Sequence, residues 1–252
     1  MQLALFDLDH TLIPSDSDHA WGQFLVRRGE VDPAQYAAEN DRFYQQYCEG
    51  TLDIELYLRF ALAPLARIEP GRLLALQGAF MQEVIEPLIR PQALALVGKH
   101  KAAGDVCLLI TATNEFVTAP IAKRFGIEHL IACGVEQIEG RYTGQPQGIP
   151  SFREGKVTRL SQWIQARGHE VEALISRASF YSDSANDIAL LERVGHPVAT
   201  NPDSRLRAHA KAKGWPCLEL FSEDDALKHL TLKSTGSNAS DPHETLRRQK
   251  SQ

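Results

Sequence analysis

Apolar positions follow three rhythms along this chain. Leu3–Phe6 is a short continuous apolar run, read as a strand buried on both faces of a parallel sheet. From residue 15 to residue 90 the apolar positions recur at helical spacing. Residues 18–28 gather Ala20, Trp21, Phe24 and Leu25 on one face. Asp32-Pro33 sets an N-cap before a proline and opens a helix through Tyr36, Phe43 and Tyr47 that Gly50 stops. Residues 52–62 and 72–88 are two further amphipathic segments, with breaks at Pro64, Pro70, Gly71, Pro87 and Pro91. Beyond Pro91, helix and strand alternate. Helices are predicted at 93–103, 115–125, 155–167, 188–194 and 204–213, each ended by a glycine. Strands are predicted at 106–110, 178–182, 197–199 and 218–220, and 131–137 with 141–145 reads as a hairpin.

This alternation predicts an α/β fold: a doubly wound, Rossmann-like parallel sheet with an inserted small helical cap. The catalytic core takes residues 1–14 and 91–230, the cap 15–90. Residues 231–252, with Ser234-Thr-Gly-Ser-Asn-Ala-Ser-Asp-Pro and Arg247-Arg-Gln-Lys, lack apolar periodicity and read as a mobile tail. The net charge of −5 gives no reason to expect nucleic-acid binding. No apolar run reaches membrane-spanning length, and Leu3–Phe6 is too short for a signal peptide. Cys48, Cys107, Cys133 and Cys217 form no CxxC pair and read as reduced core thiols of a cytoplasmic protein.

The chemistry-bearing residues fall at strand ends. The first strand runs into Asp7-Leu-Asp9-His-Thr11. Residues i and i+2 of an extended chain share a side, so two carboxylates converge where open α/β sheets bind ligands. They resist double ionisation unless a cation lies between them or one keeps its proton. A turn or capping cluster is the plain alternative. A calcium loop does not fit, because counting from Asp7 puts Leu12 where glycine is needed and Asp18 where a bidentate glutamate is usual. The strand at 106–110 runs into Thr111, and that at 178–182 into Asp183, Asn186 and Asp187. Lys156 opens a helix, where the N-terminal dipole adds positive potential. Each taken singly also reads as a cap or a solvated side chain. Together they are the inventory for holding Mg²⁺ and a phosphoryl group.

In this order, Asp7-Leu-Asp9-His-Thr11, Thr111, Lys156 and Asp183 to Asp187 resemble the four motifs of the haloacid dehalogenase superfamily. The resemblance spans residues 2–220. The helical block resembles the cap of the phosphoserine phosphatase branch. The contexts Asp7 to Trp21, Ala112-Thr113-Asn114 and Glu154-Gly155-Lys156-Val157 are most similar to a nearby bacterial subfamily that includes histidinol-phosphate phosphatases. The resemblance implies Asp7 as nucleophile and Asp9 as general acid and then base. It implies Mg²⁺ on Asp7, the Asp9 carbonyl and Asp183, with Asp187 orienting the metal site. Thr111 and Lys156, assisted by Asn186, would hold phosphoryl oxygens. An aspartate in the place of Asp9 favours a phosphatase over a dehalogenase, which releases halide and needs no such acid.

The cap sets the substrate. In phosphoserine phosphatases an acidic residue at the place of Asp16 meets the substrate amino group, and Asp18 with His19 can read another polar group. Helix capping by Ser17 or Asp18 is the structural alternative. Arg42 and Arg59 are available for a substrate carboxylate, but nothing in their context marks either. The expectation is a Mg²⁺-dependent phosphatase acting on a small phosphorylated metabolite, an amino-alcohol phosphate such as histidinol phosphate. Phosphoserine hydrolysis, a phosphotransferase of the same fold and a non-catalytic binding module are the alternatives. The oligomeric state is not legible.

Overall fold

The structure, a computed structural model, describes residues 1–221. The expected tail at 231–252 and the last part of the expected core lie outside the described residues. The element order begins with strand β1 (Leu3–Phe6) and helices α1 (Ser17–Arg27), α2 (Pro33–Glu49), α3 (Ile54–Arg67), α4 (Pro70–Phe80) and α5 (Pro91–Ala102). Strand β2 (Val106–Asn114), α6 (Glu115–Arg124), β3 (His129–Ile138), β4 (Arg141–Gln147) and α7 (Glu154–Gln165) follow. Then come α8 (Val171–Ile175), β5 (Ser179–Ser182), α9 (Ile188–Leu191), β6 (His196–Thr200), α10 (Ser204–Lys213) and β7 (Cys217–Leu218).

The sheet order is β4-β3-β2-β1-β5-β6-β7. All described pairs are parallel except β3 with β4. The all-apolar β1 lies in the middle, buried along its whole length, as a strand covered on both faces must be. One face carries Leu3, Leu5, Leu108 and Ile110 against Leu160 and Ile164 of α7. Register places Phe6 opposite Leu109 of β2 and Tyr181 of β5. The chain order switches sides at β1, so a crevice opens at its carboxyl end, where Asp7 begins.

Helices α1 to α5 intervene between β1 and β2. Trp21 and Phe24 of α1 meet Phe80 of α4, and Trp21 also meets Phe116 of α6. Strand β4 approaches α3 closely at Gly144. This residue has φ +78°, and a Cβ there would lie 3.2 Å from the Cβ of Ala66. Only glycine fits both the backbone and the gap.

Several expected elements differ. The strand expected to end before Thr111 continues to Asn114, with a register shift against β3 after Ile110. The bulge lets the strand carry its hydroxyls over the crevice before α6 starts. The helix expected over 72–88 stops at Phe80, followed by one π-helical turn (Met81–Ile85) and a 3₁₀ turn (Glu86–Leu88) ahead of Pro91. Pro87 has no N–H to extend the α-helical ladder. Helix 188–194 shortens to α9, the last strand is Cys217–Leu218, and α8, five residues long, carried no legible period. Cys107 and Cys133 are buried, but Cys48 and Cys217 are exposed, so the four are not uniformly core thiols.

Candidate active site

Three strand ends and one helix start converge on the crevice. Asp7 follows β1 and is tied to β5 by its backbone N–H, which donates to the Tyr181 carbonyl at 2.9 Å. Lys156, in the first turn of α7, donates to Asp7 Oδ1 at 2.8 Å and to Asp187 Oδ2 at 2.7 Å. Ser182 Oγ donates to the same Asp187 oxygen at 2.7 Å. The Thr11 hydroxyl spans Asp7 Oδ2 (3.4 Å) and Asp183 Oδ1 (3.2 Å), and accepts from the Asp183 N–H at 3.1 Å. All six side chains are buried.

Three buried carboxylates thus face one ammonium. Burial pushes the Asp7 carboxyl up to about 7 despite Lys156, with Asp187 and Asp9 adding to the rise. Asp183 is raised well above the carboxylate range, first by burial, then by Asp7 and Asp187. Burial alone would lower the Lys156 pKa, but Asp187 and Asp7 outweigh it and hold the ammonium above its ordinary value. Such an excess of buried negative charge, presented only by oxygen, fits a hard divalent cation. Among the described residues no three His, Cys, Asp or Glu side chains form a ready metal cage. Asp187 has one oxygen engaged by Lys156 and Ser182, which leaves Asp7 and Asp183 as the side-chain pair. Magnesium suits so sparse a set, because it retains several waters.

Asp9 is held differently. Its Oδ1 accepts from the Ser17 N–H at 2.7 Å and its Oδ2 from the Thr113 hydroxyl at 2.8 Å. Burial, then the nearby Asp16, raises its pKa to about 6, so it carries a proton more readily than an ordinary aspartate. Thr111 lines the same cavity, and its Oγ1 accepts from the Thr113 N–H at 3.2 Å, which leaves its O–H to donate elsewhere.

The remaining predicted residues have unequal surroundings. Asp16, not Ser17 or Asp18, caps α1, accepting from the His19 N–H at 2.7 Å. Asp18 is buried, and its Oδ1 accepts from Asn114 Nδ2 at 3.0 Å. His19 lines the cavity, but both ring nitrogens are engaged: Nδ1 by Asn40 at 3.1 Å, Nε2 by Gln23 at 2.9 Å and Asp41 at 3.3 Å. Its ring stacks on Tyr44 at 4.7 Å. Asn186 is also occupied, accepting from Arg153 Nε at 3.3 Å and donating to the Tyr47 carbonyl at 3.4 Å. Phe43, Tyr44, Tyr47 and Tyr57 complete an aromatic wall, and among the described residues no arginine or lysine lines this cavity. Arg42 is exposed and paired with Glu39, and Arg59 is exposed.

Sequence reasoning quoted Ala112-Thr113-Asn114 only as a family context and gave Thr113, Asn114 and Ser182 no role in the site. Thr113 and Asn114 stand two and three residues after Thr111, and a strand continued past Thr111 would have drawn attention to both.

The pattern of haloacid dehalogenase-like hydrolases matches residues 4–192. A histidinol-phosphatase from Neisseria meningitidis is 49% identical over 217 residues, 86% of this chain and 97% of that one. The crystal structure of a protein of unknown function from Bordetella pertussis is 49% identical, with a TM-score of 0.82 over 87% of this chain and 99% of that one. A phosphoserine phosphatase solved as a phospho-aspartyl intermediate analogue shares the fold at 20% identity, with a TM-score of 0.63 over 90% and 98% of the two chains. The order of the motifs along the sheet and the likeness over nearly the whole of close relatives agree: the chain belongs to the haloacid dehalogenase-like hydrolase family, as one of its phosphatases.

Proposed function

We propose that this phosphatase hydrolyses a small phosphomonoester that bears a nitrogen group and no carboxylate, of the kind exemplified by histidinol phosphate, with Mg²⁺ as cofactor. The observation that carries this reading is the cavity wall: Asp16 and Asp18 face it together with aromatic rings, and among the described residues no arginine or lysine lines it. Phosphoserine would bring its carboxylate into that acidic wall with no cation to meet it, at the cost of an unpaired charge. The 49% identity to a histidinol-phosphatase points the same way.

In this reading Asp7, the Asp9 carbonyl and Asp183 hold the metal, which when bound neutralises the repulsion between carboxylate and phosphate. Asp7 attacks phosphorus and forms an aspartyl-phosphate as the P–O ester bond breaks. Asp9, starting protonated, gives its proton to the departing alkoxide. It then takes a proton from water, whose oxygen attacks phosphorus, frees Asp7 and releases inorganic phosphate. Thr111 and Lys156 steady the phosphoryl oxygens, with Asn186 beside them. Asp187 keeps Lys156 in place. Asp16, Asp18 and the packed ring of His19 form the substrate end. Four free cysteines suit a reducing, cytoplasmic setting.

The test is steady-state kinetics on histidinol phosphate, phosphoserine and p-nitrophenyl phosphate, with and without an added acceptor alcohol. The highest kcat/KM is expected with histidinol phosphate, with phosphate released to water. A preference for phosphoserine would overturn the substrate assignment, and a phosphorylated acceptor as main product would overturn hydrolysis.

A further inference from the structure

Asn114 performs two tasks with the two ends of one amide. Its Oδ1 accepts from the Val117 N–H at 3.1 Å and caps α6. The amide therefore turns its Nδ2 outward, where it donates to Asp18 Oδ1 at 3.0 Å. Asp18 is only 5% exposed, and its other oxygen, Oδ2, has no hydrogen-bond partner. The same side chain lines the cavity that contains Asp7 and Asp9. A buried, unpaired carboxylate oxygen costs free energy unless something supplies a donor. The Tyr57 hydroxyl lies close enough to act on the Asp18 carboxyl as a hydrogen-bond donor and lower its pKa, yet no hydrogen bond of ordinary geometry reaches Oδ2. His19, the other polar group offered for recognition, has both ring nitrogens engaged.

We propose that Asp18 Oδ2 is the acceptor for an N–H of the substrate's nitrogen group, and that Asn114 is the positioning residue that aims it. This rests on the nitrogen-bearing substrate of the preceding section and singles out one oxygen from the acidic wall. It also links recognition to the chemical end of the site. Thr113, the preceding residue of β2, holds Asp9, so one strand end sets both the proton donor and the recognition carboxylate.

Three variants separate positioning from folding. Asn114→Asp keeps an N-cap oxygen for α6 but turns a second carboxylate toward Asp18. Asn114→Ser keeps a cap too short to reach Asp18. Asp18→Asn keeps the tether, since its amide oxygen can face Asn114, and presents N–H where the substrate needs an acceptor. The readout is the ratio of kcat/KM on histidinol phosphate to that on p-nitrophenyl phosphate, which has no nitrogen donor. The ratio is expected to fall about tenfold or more in all three, the loss of one charge-assisted contact. Asn114→Gln, with the same amide, should recover part of the ratio. A merely structural role would lower both rates together and leave the ratio where it was, which would overturn the proposal. The two failures are distinguishable. A wild type that does not favour histidinol phosphate removes the substrate reading and this inference together. A wild type that does, with variants that keep the preference, removes this inference alone.

Discussion

The two ends of the cavity are built from the same residue type and treat it in opposite ways. At the phosphoryl end, Asp7, Asp183 and Asp187 share Lys156, Thr11 and Ser182. At the other end, Asp18 has a neutral amide on Oδ1, the Tyr57 hydroxyl beside it and no hydrogen bond of ordinary geometry to Oδ2. The groups proposed to act on every substrate are tied to one another within the fold, with an excess of negative charge left for a cation to meet. The group proposed to select one substrate is left for that substrate to complete. The first arrangement gives preorganisation, the second gives a difference in affinity between ligands.

The largest way to break the contrast is at the proposed nucleophile. Asp7→Asn should lower kcat on every phosphomonoester by about 10⁴-fold or more while the fold persists. Phosphate release and circular dichroism on one preparation check this, with deamidation excluded by mass. Exhaustive chelation should likewise bring all substrates to background, and Mg²⁺ should restore activity. Ca²⁺, with looser and larger coordination, should inhibit.

Lys156→Ala tests how far compensation within the fold extends. Removing one partner of a buried charge set costs about 3–5 kcal/mol, so urea unfolding without metal should show a loss of that order. Turnover should fall about 100-fold or more on all substrates alike. Asp16→Ala and Asp18→Ala, by contrast, should be selective. Each should lose about tenfold to a hundredfold in kcat/KM on histidinol phosphate and far less on p-nitrophenyl phosphate. Equal losses would assign these carboxylates to folding or to the chemical step.

The smallest effect is on stability. Burial raises the Asp18 carboxyl from 3.8 to about 7, so between those values the folded protein holds a proton that the unfolded chain has released. Stability from this group therefore falls as pH rises through that window and levels off above it. Asp18→Asn removes the titration. Relative to wild type it should gain about 1–3 kcal/mol between pH 5 and pH 8 in urea unfolding. No relative change would mean that the carboxylate is better solvated than its burial implies.

Much was legible before the fold was known because it depends on local rules. An apolar run ending in Asp7-Leu-Asp9, a proline after Asp32 and glycines after helices report on the backbone alone. The strand-end positions of Asp7 and Asp183 follow from them, as does the helix start at Lys156. The sequence by itself determined the layered α/β architecture, the helical block after the first strand and the chemical inventory of the crevice. Pairings across distant segments were beyond it. Thr11 on Asp183, Thr113 on Asp9 and Asn114 on Asp18 join residues 172, 104 and 96 positions apart, and no periodicity encodes such separations. The identity of the α1 cap, the engagement of both His19 nitrogens and, among the described residues, the absence of a lining arginine or lysine were decided only by packing. Residue type sets what a side chain can donate or accept. Which oxygen stays unpartnered depends on every neighbour that the tertiary structure brings within reach.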